Sequence, residues 1–104
     1  MQETTKREAI INLLHLARKA GKVKSGMSAC CSSCIKNNAE LVICAEDISN
    51  NSKNKIKRIT LSKEVKLIVY GDKQMFSNLF QRTVTGIICV EDKNFSSGIL
   101  RVLA

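Results

Sequence analysis

Three apolar runs of strand length do most to limit what this chain can fold into. They are LVICA at 41–45, VKLIVY at 65–70 and GIICV at 86–90. Each is too short for a helix that buries one stripe, and each is rich in β-branched residues. Their near-continuous apolar character predicts strands covered on both faces, the signature of a sheet inside a layered α/β protein.

The segments between the runs supply the covering helices. Residues 5–20, TKREAIINLLHLARKA, place Ile10, Leu13, Leu14 and Ala17 at steps of three and four, which predicts a helix with one apolar stripe. Thr4 or Thr5 is placed to cap its start, and Gly21 to stop it. KVKS at 22–25 reads as a short extended piece, and a second helix is expected from Met27 to Asn37, entered through Gly26. A helix is expected to begin near Ser49, yet IKRITLSKEV looks helical only in part. KQMFSNLF has helical spacing, and NFSSGILRVLA reads as a closing helix capped by Asp92 or Asn94. Helix and strand alternate, so a central sheet with helices on both faces is expected, built as one domain over residues 1–104.

Charge points to a partner. The chain carries a net +8, and it is unevenly spread: residues 1–37 and 53–66 are each +5, while 38–52 hold three acids and no base. Two basic blocks flanking an acidic strand end favour a polyanion, nucleic acid being the commonest. A solvated basic surface is the plainer reading. No run approaches the ~18 apolar residues of a membrane span. MQETTKREAI is charged from the outset, with no apolar signal core. An intracellular, cytoplasmic protein is the expectation.

Five cysteines, an odd number, suit a reducing compartment. Three of them crowd into GMSACCSSC at 26–34. On a helix Cys31 and Cys34, and Cys30 and Cys34, share a face. A structural zinc site needs four ligands and no second CxxC exists. The CxxC also lies inside the helix rather than at its N-terminus, where the dipole would activate a thiol. Cys30 and Cys34 are therefore expected as small core hydrophobes, with Cys31 partly exposed. His15 sits mid-helix, where a half-buried helix residue is the plainer reading than a base or an RNA contact. Neither a serine elbow nor a glycine-rich phosphate loop is present, and no histidine lies near an acid. A non-enzymatic protein with no metal and no cofactor follows.

LLHLARKAGKVKSG (13–26), AELVICAEDIS (39–49) and TGIICVEDKNFSSGIL (85–100) resemble the L7Ae/L30e/S12e/Gadd45 superfamily, and within it the small bacterial L7Ae-like proteins. The resemblance covers nearly the whole chain. It implies an L30e-like fold, a three-layer α/β/α sandwich around a four-stranded mixed sheet. It also implies structured RNA as partner, kink-turns and ribosomal RNA included, alongside ribosomal or translation-associated proteins, with no membrane and a monomeric chain. The family's G-x-N-E-x-x-K motif falls on Gly26, Ser28, Ala29 and Ser32, so the glycine is kept and the three polar readers are not. The loss of that triad supports an alternative, a protein-interaction module on the same fold. The Glu-Asp strand end is matched by Glu46 and Asp47, and the apolar loop by RTVTG at 82–86, where Val84 would stack under a splayed nucleotide and Thr85 is a further expected RNA contact.

The implied platform joins Gly26, Met27, Ser28 and Ser32 of the glycine-led turn with that loop and strand end. Lys22 and Lys24, two apart, would share one face of the short strand. Lys53 and Lys55 open the following helix. Backbone amides from Gly26 to Ala29 would receive phosphate. Asp47 or Ser49 can instead cap the helix beginning near Ser49.

Overall fold

The computed structural model describes residues 2–81 and 86–104, and within the first helix the side chains from residue 6 onward. Five helices and four strands alternate: α1 Gln2–Lys19, β1 Val23–Ser25, α2 Met27–Ile35, β2 Leu41–Cys44, α3 Asn50–Ser62, β3 Lys66–Val69, α4 Lys73–Phe80, β4 Ile87–Val90 and α5 Lys93–Leu103. The strands form one sheet in the order β1-β4-β2-β3. β2 and β3 are parallel, joined by the α3 crossover, while β4 runs antiparallel to both β2 and β1. Helices α2 and α3 pack together on one face, and α1 packs with α5 and α4 on the other. This is the expected three-layer arrangement with a mixed sheet.

Central and edge strands differ as their neighbours dictate. Every residue of β2 and β4 is buried, so the apolar runs 41–45 and 86–90 behave as read. The run 65–70 does not. β3 is an edge strand with β2 as its sole neighbour; Lys66 is exposed, and Val69 keeps 52% of its surface. An apolar run reports strand propensity, but strand order decides coverage.

Helix ends follow local chemistry. α1 begins at Gln2, ahead of both threonines, and its buried stripe is Ile10, Leu14 and Ala17, with Leu13 only half-buried. α2 ends at Ile35, two residues short of Asn37, which takes the left-handed conformation at φ 63°. α3 is one continuous helix to Ser62. Its buried positions are Ile56 and Thr60, and Thr60 Oγ1 donates to the Ile56 carbonyl at 2.9 Å, so a polar residue occupies a core-facing turn. Ser49 caps α3, Asp72 caps α4, and Asp92 rather than Asn94 caps α5.

Substitution at a central and at the edge strand should separate the two environments. Ile43→Ala, at a position 1% exposed in β2, should lower unfolding free energy by about 2–5 kcal/mol. Val69→Ala should change it by roughly 0.5–1 kcal/mol. Urea unfolding followed by circular dichroism gives both values; similar losses at the two sites would contradict the edge assignment.

Candidate nucleic-acid interface

Strand directions gather most of the candidate residues, while Lys22, at the amino end of β1 where its carbonyl accepts from the Glu91 N–H, lies toward the opposite edge. β1, β2 and β3 all point the same way, so their carboxyl ends and the N-termini of α2, α3 and α4 share one edge of the molecule. β4 begins there too. The Gly26 N–H donates to the Ile87 carbonyl at 2.8 Å, and the Ala45 N–H donates to the Gly86 carbonyl at 2.7 Å. The glycine-led turn and the Glu-Asp strand end thus flank the start of β4. Open α/β sheets bind ligands at this end of their strands.

The three helix N-termini are not equivalent. Ser49 Oγ accepts from the Ser52 N–H at 3.2 Å and closes α3. At α4, Asp72 accepts from the Met75 N–H at 2.8 Å, and Asp47 accepts from the Lys73 N–H at 3.0 Å. Two carboxylates therefore complement that helix dipole. α2 has no side-chain cap and no acid in its first turn. Its first-turn amides, Met27 to Ala29, have no intrahelical acceptor by helix geometry. The Gly26 amide belongs to the sheet instead, which shortens the expected amide set by one. Gly26 adopts φ 97°, ψ 153°, a conformation that suits glycine and aims the chain from strand into helix.

Lysines surround that first turn. Met27, Ser28, Ser32 and Lys55 line one hollow between α2 and α3, beside Cys31, Ile35, Lys36 and Ile59. Lys24 and Ala29 line two further hollows along the other flank of α2. Lys24 is exposed on β1, and Lys22 is exposed just before that strand begins. Met27 is half-buried and packs against the core, so it supports the turn from below. Lys53 is placed differently. Its Nζ donates to the Glu46 carbonyl at 2.8 Å, tying α3 back to the β2 end. Glu46 is exposed, and its own N–H donates to the Gly71 carbonyl at 2.8 Å. Val84 and Thr85 lie outside the described residues.

Asp47 is a tether to α4 and leaves the capping of α3 to Ser49. Its partner lies in another element, so local pattern carried no sign of it. His15 is half-buried and borders a hollow with Arg7, Ile11, Met75, Asn78 and Leu79 between α1 and α4.

The cysteines pack as core residues. Cys30, Cys34, Cys44 and Cys89 are buried, Cys31 is half-buried, and all five are free. Among the described residues no three His, Cys, Asp or Glu side chains gather as a metal would require. The Cys30 Sγ–H donates to the Lys24 carbonyl at 3.8 Å, and hydrogen bonding with Cys89 and then burial hold its thiol well above the ordinary range. Burial, then the nearby Cys89 and Cys31, push the Cys34 thiol from 9.0 up to about 11.

A raised thiol pKa stabilises the fold below the unfolded value, and that contribution is lost as pH rises through the folded one. Stability should therefore fall from about pH 9 toward about pH 11 as the unfolded chain loses the Cys34 proton first. Urea midpoints across this range should decline more gently in Cys34→Ala than in the parent chain. Equal slopes would remove Cys34 from the account. A thiol reagent should modify Cys31 first in the native protein.

No curated protein matches the chain. Among solved structures, a protein of unknown function from Bacillus halodurans C superposes with a TM-score of 0.85 at 23% identity, covering 90% of this chain and 95% of its own. The Giardia lamblia 15.5kD RNA binding protein superposes with a TM-score of 0.76 at 16% identity, covering 95% of this chain and 85% of its own. At these identities the likeness is one of fold. The family profile for Ribosomal protein L7Ae/L30e/S12e/Gadd45 spans residues 8–100, and the chain belongs to that family.

Proposed function

We propose that this chain is a non-catalytic RNA-binding protein that receives structured RNA, of kink-turn-like or ribosomal type, at the carboxyl edge of its sheet. One observation carries the reading: of the three helix N-termini on that edge, α2 alone lacks a side-chain cap, and Lys24 and Lys55 stand beside it. Family membership supports RNA as the polyanion, as does the fold shared with the Giardia RNA binding protein.

In this reading a phosphate sits on the Met27–Ala29 amides, with Lys22, Lys24 and Lys55 neutralising its neighbours. Ser28 offers one hydrogen bond and Ala29 none, so base reading is sparse and shape dominates. Lys53, held to the Glu46 carbonyl, orders the strand end rather than gripping RNA. Glu46 remains exposed and can accept from a base amino group. Val84 and Thr85, which the family resemblance assigns to RNA contact, are kept in the proposal.

A second reading, a protein-interaction module, draws on the hollow between α2 and α3. Met27, Cys31, Ile35 and Ile59 give it an apolar floor, and Ile35 is 54% exposed.

RNA crosslinked to the protein in cells and then sequenced separates the two. A focused crosslink on one hairpin, lost in the Lys22→Glu, Lys24→Glu double variant, is the expected result. In vitro, the slope of log affinity against log salt should shrink by about 1 for each lysine removed. Diffuse crosslinking indifferent to both substitutions would reject the platform and favour the second reading.

A further inference from the structure

A cleft of about 470 Å³ opens beside the edge strand β1, lined by Arg18, Val23, Lys24, Ser25, Ala29 and Phe80. It draws on α1, β1, α2 and α4, so residues from both helical layers meet at the open side of the sheet. Its volume falls within the range of small-ligand sites, about 300–1,000 Å³.

The lining is chemically selective. Phe80 and Val23 provide apolar walls, and Phe80 is half-buried, with its ring fixed against the core. The Arg18 guanidinium lies 5.9 Å from the Phe80 ring centroid, at the outer reach of a cation–π contact. Among the described residues Arg18 Nε is buried with no hydrogen-bond partner. A buried guanidinium nitrogen without an acceptor is a group that an incoming oxygen would satisfy. Lys24 also lines the cleft, and no acid is among its described lining residues. A ring with a planar cation over it and one point charge nearby suit a nucleotide: base against the guanidinium plane and the exposed part of the ring, phosphate on the two cations.

We infer that this cleft holds one unpaired nucleotide flanking the structured RNA element. The inference rests on the RNA-binding reading above and adds to it a second contact, on the far flank of α2 from Lys55. The stacking surface does not continue past Lys24. The adjoining hollow of about 340 Å³ shares Lys24 and Ala29 and adds Lys36 and Glu91, whose carboxylate accepts from Ser33 Oγ at 2.5 Å, but no aromatic ring is among its described lining residues. One nucleotide, not a tract, is therefore the natural occupant. Few polar groups face the base, so its identity matters little.

Nuclear magnetic resonance titration tests the cleft without any particular RNA. Adenosine 5′-monophosphate should shift the signals of Val23, Lys24, Phe80 and the Arg18 Nε–H, whereas ribose 5-phosphate should leave the Phe80 ring unmoved. Phe80→Leu keeps apolar volume and removes the ring; it should weaken the nucleotide about tenfold. Arg18→Lys keeps charge and loses the planar fork, and should also weaken it, which guards against a Leu variant that packs badly. Equal shifts with both probes, or none at these residues, would overturn the inference. A hairpin RNA carrying a two-nucleotide single-stranded flank should bind about fivefold or more tighter than the blunt hairpin, with the gain absent in Phe80→Leu. No gain would overturn the flanking role, as would adenosine monophosphate binding so tightly that the free nucleotide is the ligand. Should the cleft fail while the Lys22 and Lys24 substitutions still abolish crosslinking, RNA binding stands without it. Should the cleft bind nucleotide while crosslinking is diffuse, the cleft is a nucleotide site and the RNA platform falls.

Discussion

β4 runs antiparallel between β1 and β2, and the remainder of the molecule is arranged around it. All four of its residues are buried, and it contributes Ile87, Ile88, Cys89 and Val90 to the core. Its first bonds, from Gly26 N–H to the Ile87 carbonyl and from Ala45 N–H to the Gly86 carbonyl, hold the ends of two parallel strands at fixed separation. Gly86 is needed for that register. Its φ is +84°, and a Cβ there would lie 2.5 Å from Ile48 Cγ2 and 3.1 Å from Lys73 Cγ. Backbone conformation and close approach both call for glycine at this point.

With the strand ends fixed, electrostatics distinguish between sites that the fold makes geometrically alike. Three helices start on one edge, each with a positive dipole end. Carboxylates of Asp72 and Asp47 occupy the start of α4, and Ser49 occupies that of α3. Only α2 is left to the solvent, with lysines on both flanks. The Lys53 contact with the Glu46 carbonyl reinforces this division by drawing one cation toward the β2 end.

Much of the architecture was legible because it is local. The runs at 41–45 and 86–90 are apolar throughout, and both became fully buried strands. The burial of Cys30 and Cys34 follows from helical spacing, and of the two candidate α5 caps, Asp92 and Asn94, the structure takes Asp92. Less legible features depend on which elements meet. The run at 65–70 has strand composition, but its place at the sheet edge comes from strand order. α3 buries Thr60 one turn after Ile56, so hydrophobic spacing understated its length. Asp47 bonds the first amide of α4, and Arg18 reaches Phe80 across most of the chain. Neither pairing leaves a trace in sequence spacing. Of the basic residues singled out in advance, Lys24 and Lys55 flank α2 on opposite sides, while Lys53 donates to the Glu46 carbonyl.

The most direct test follows backbone amides during titration with the RNA recovered from cells. The account predicts that the Met27, Ser28 and Ala29 amides shift most, and that the shifts weaken steeply with added salt. The amides of Ser52 and Met75, at the capped starts of α3 and α4, should move little. Equal movement at all three helix starts, or the largest shifts on α1 and α5, would contradict the assignment of the uncapped helix as the RNA-receiving end.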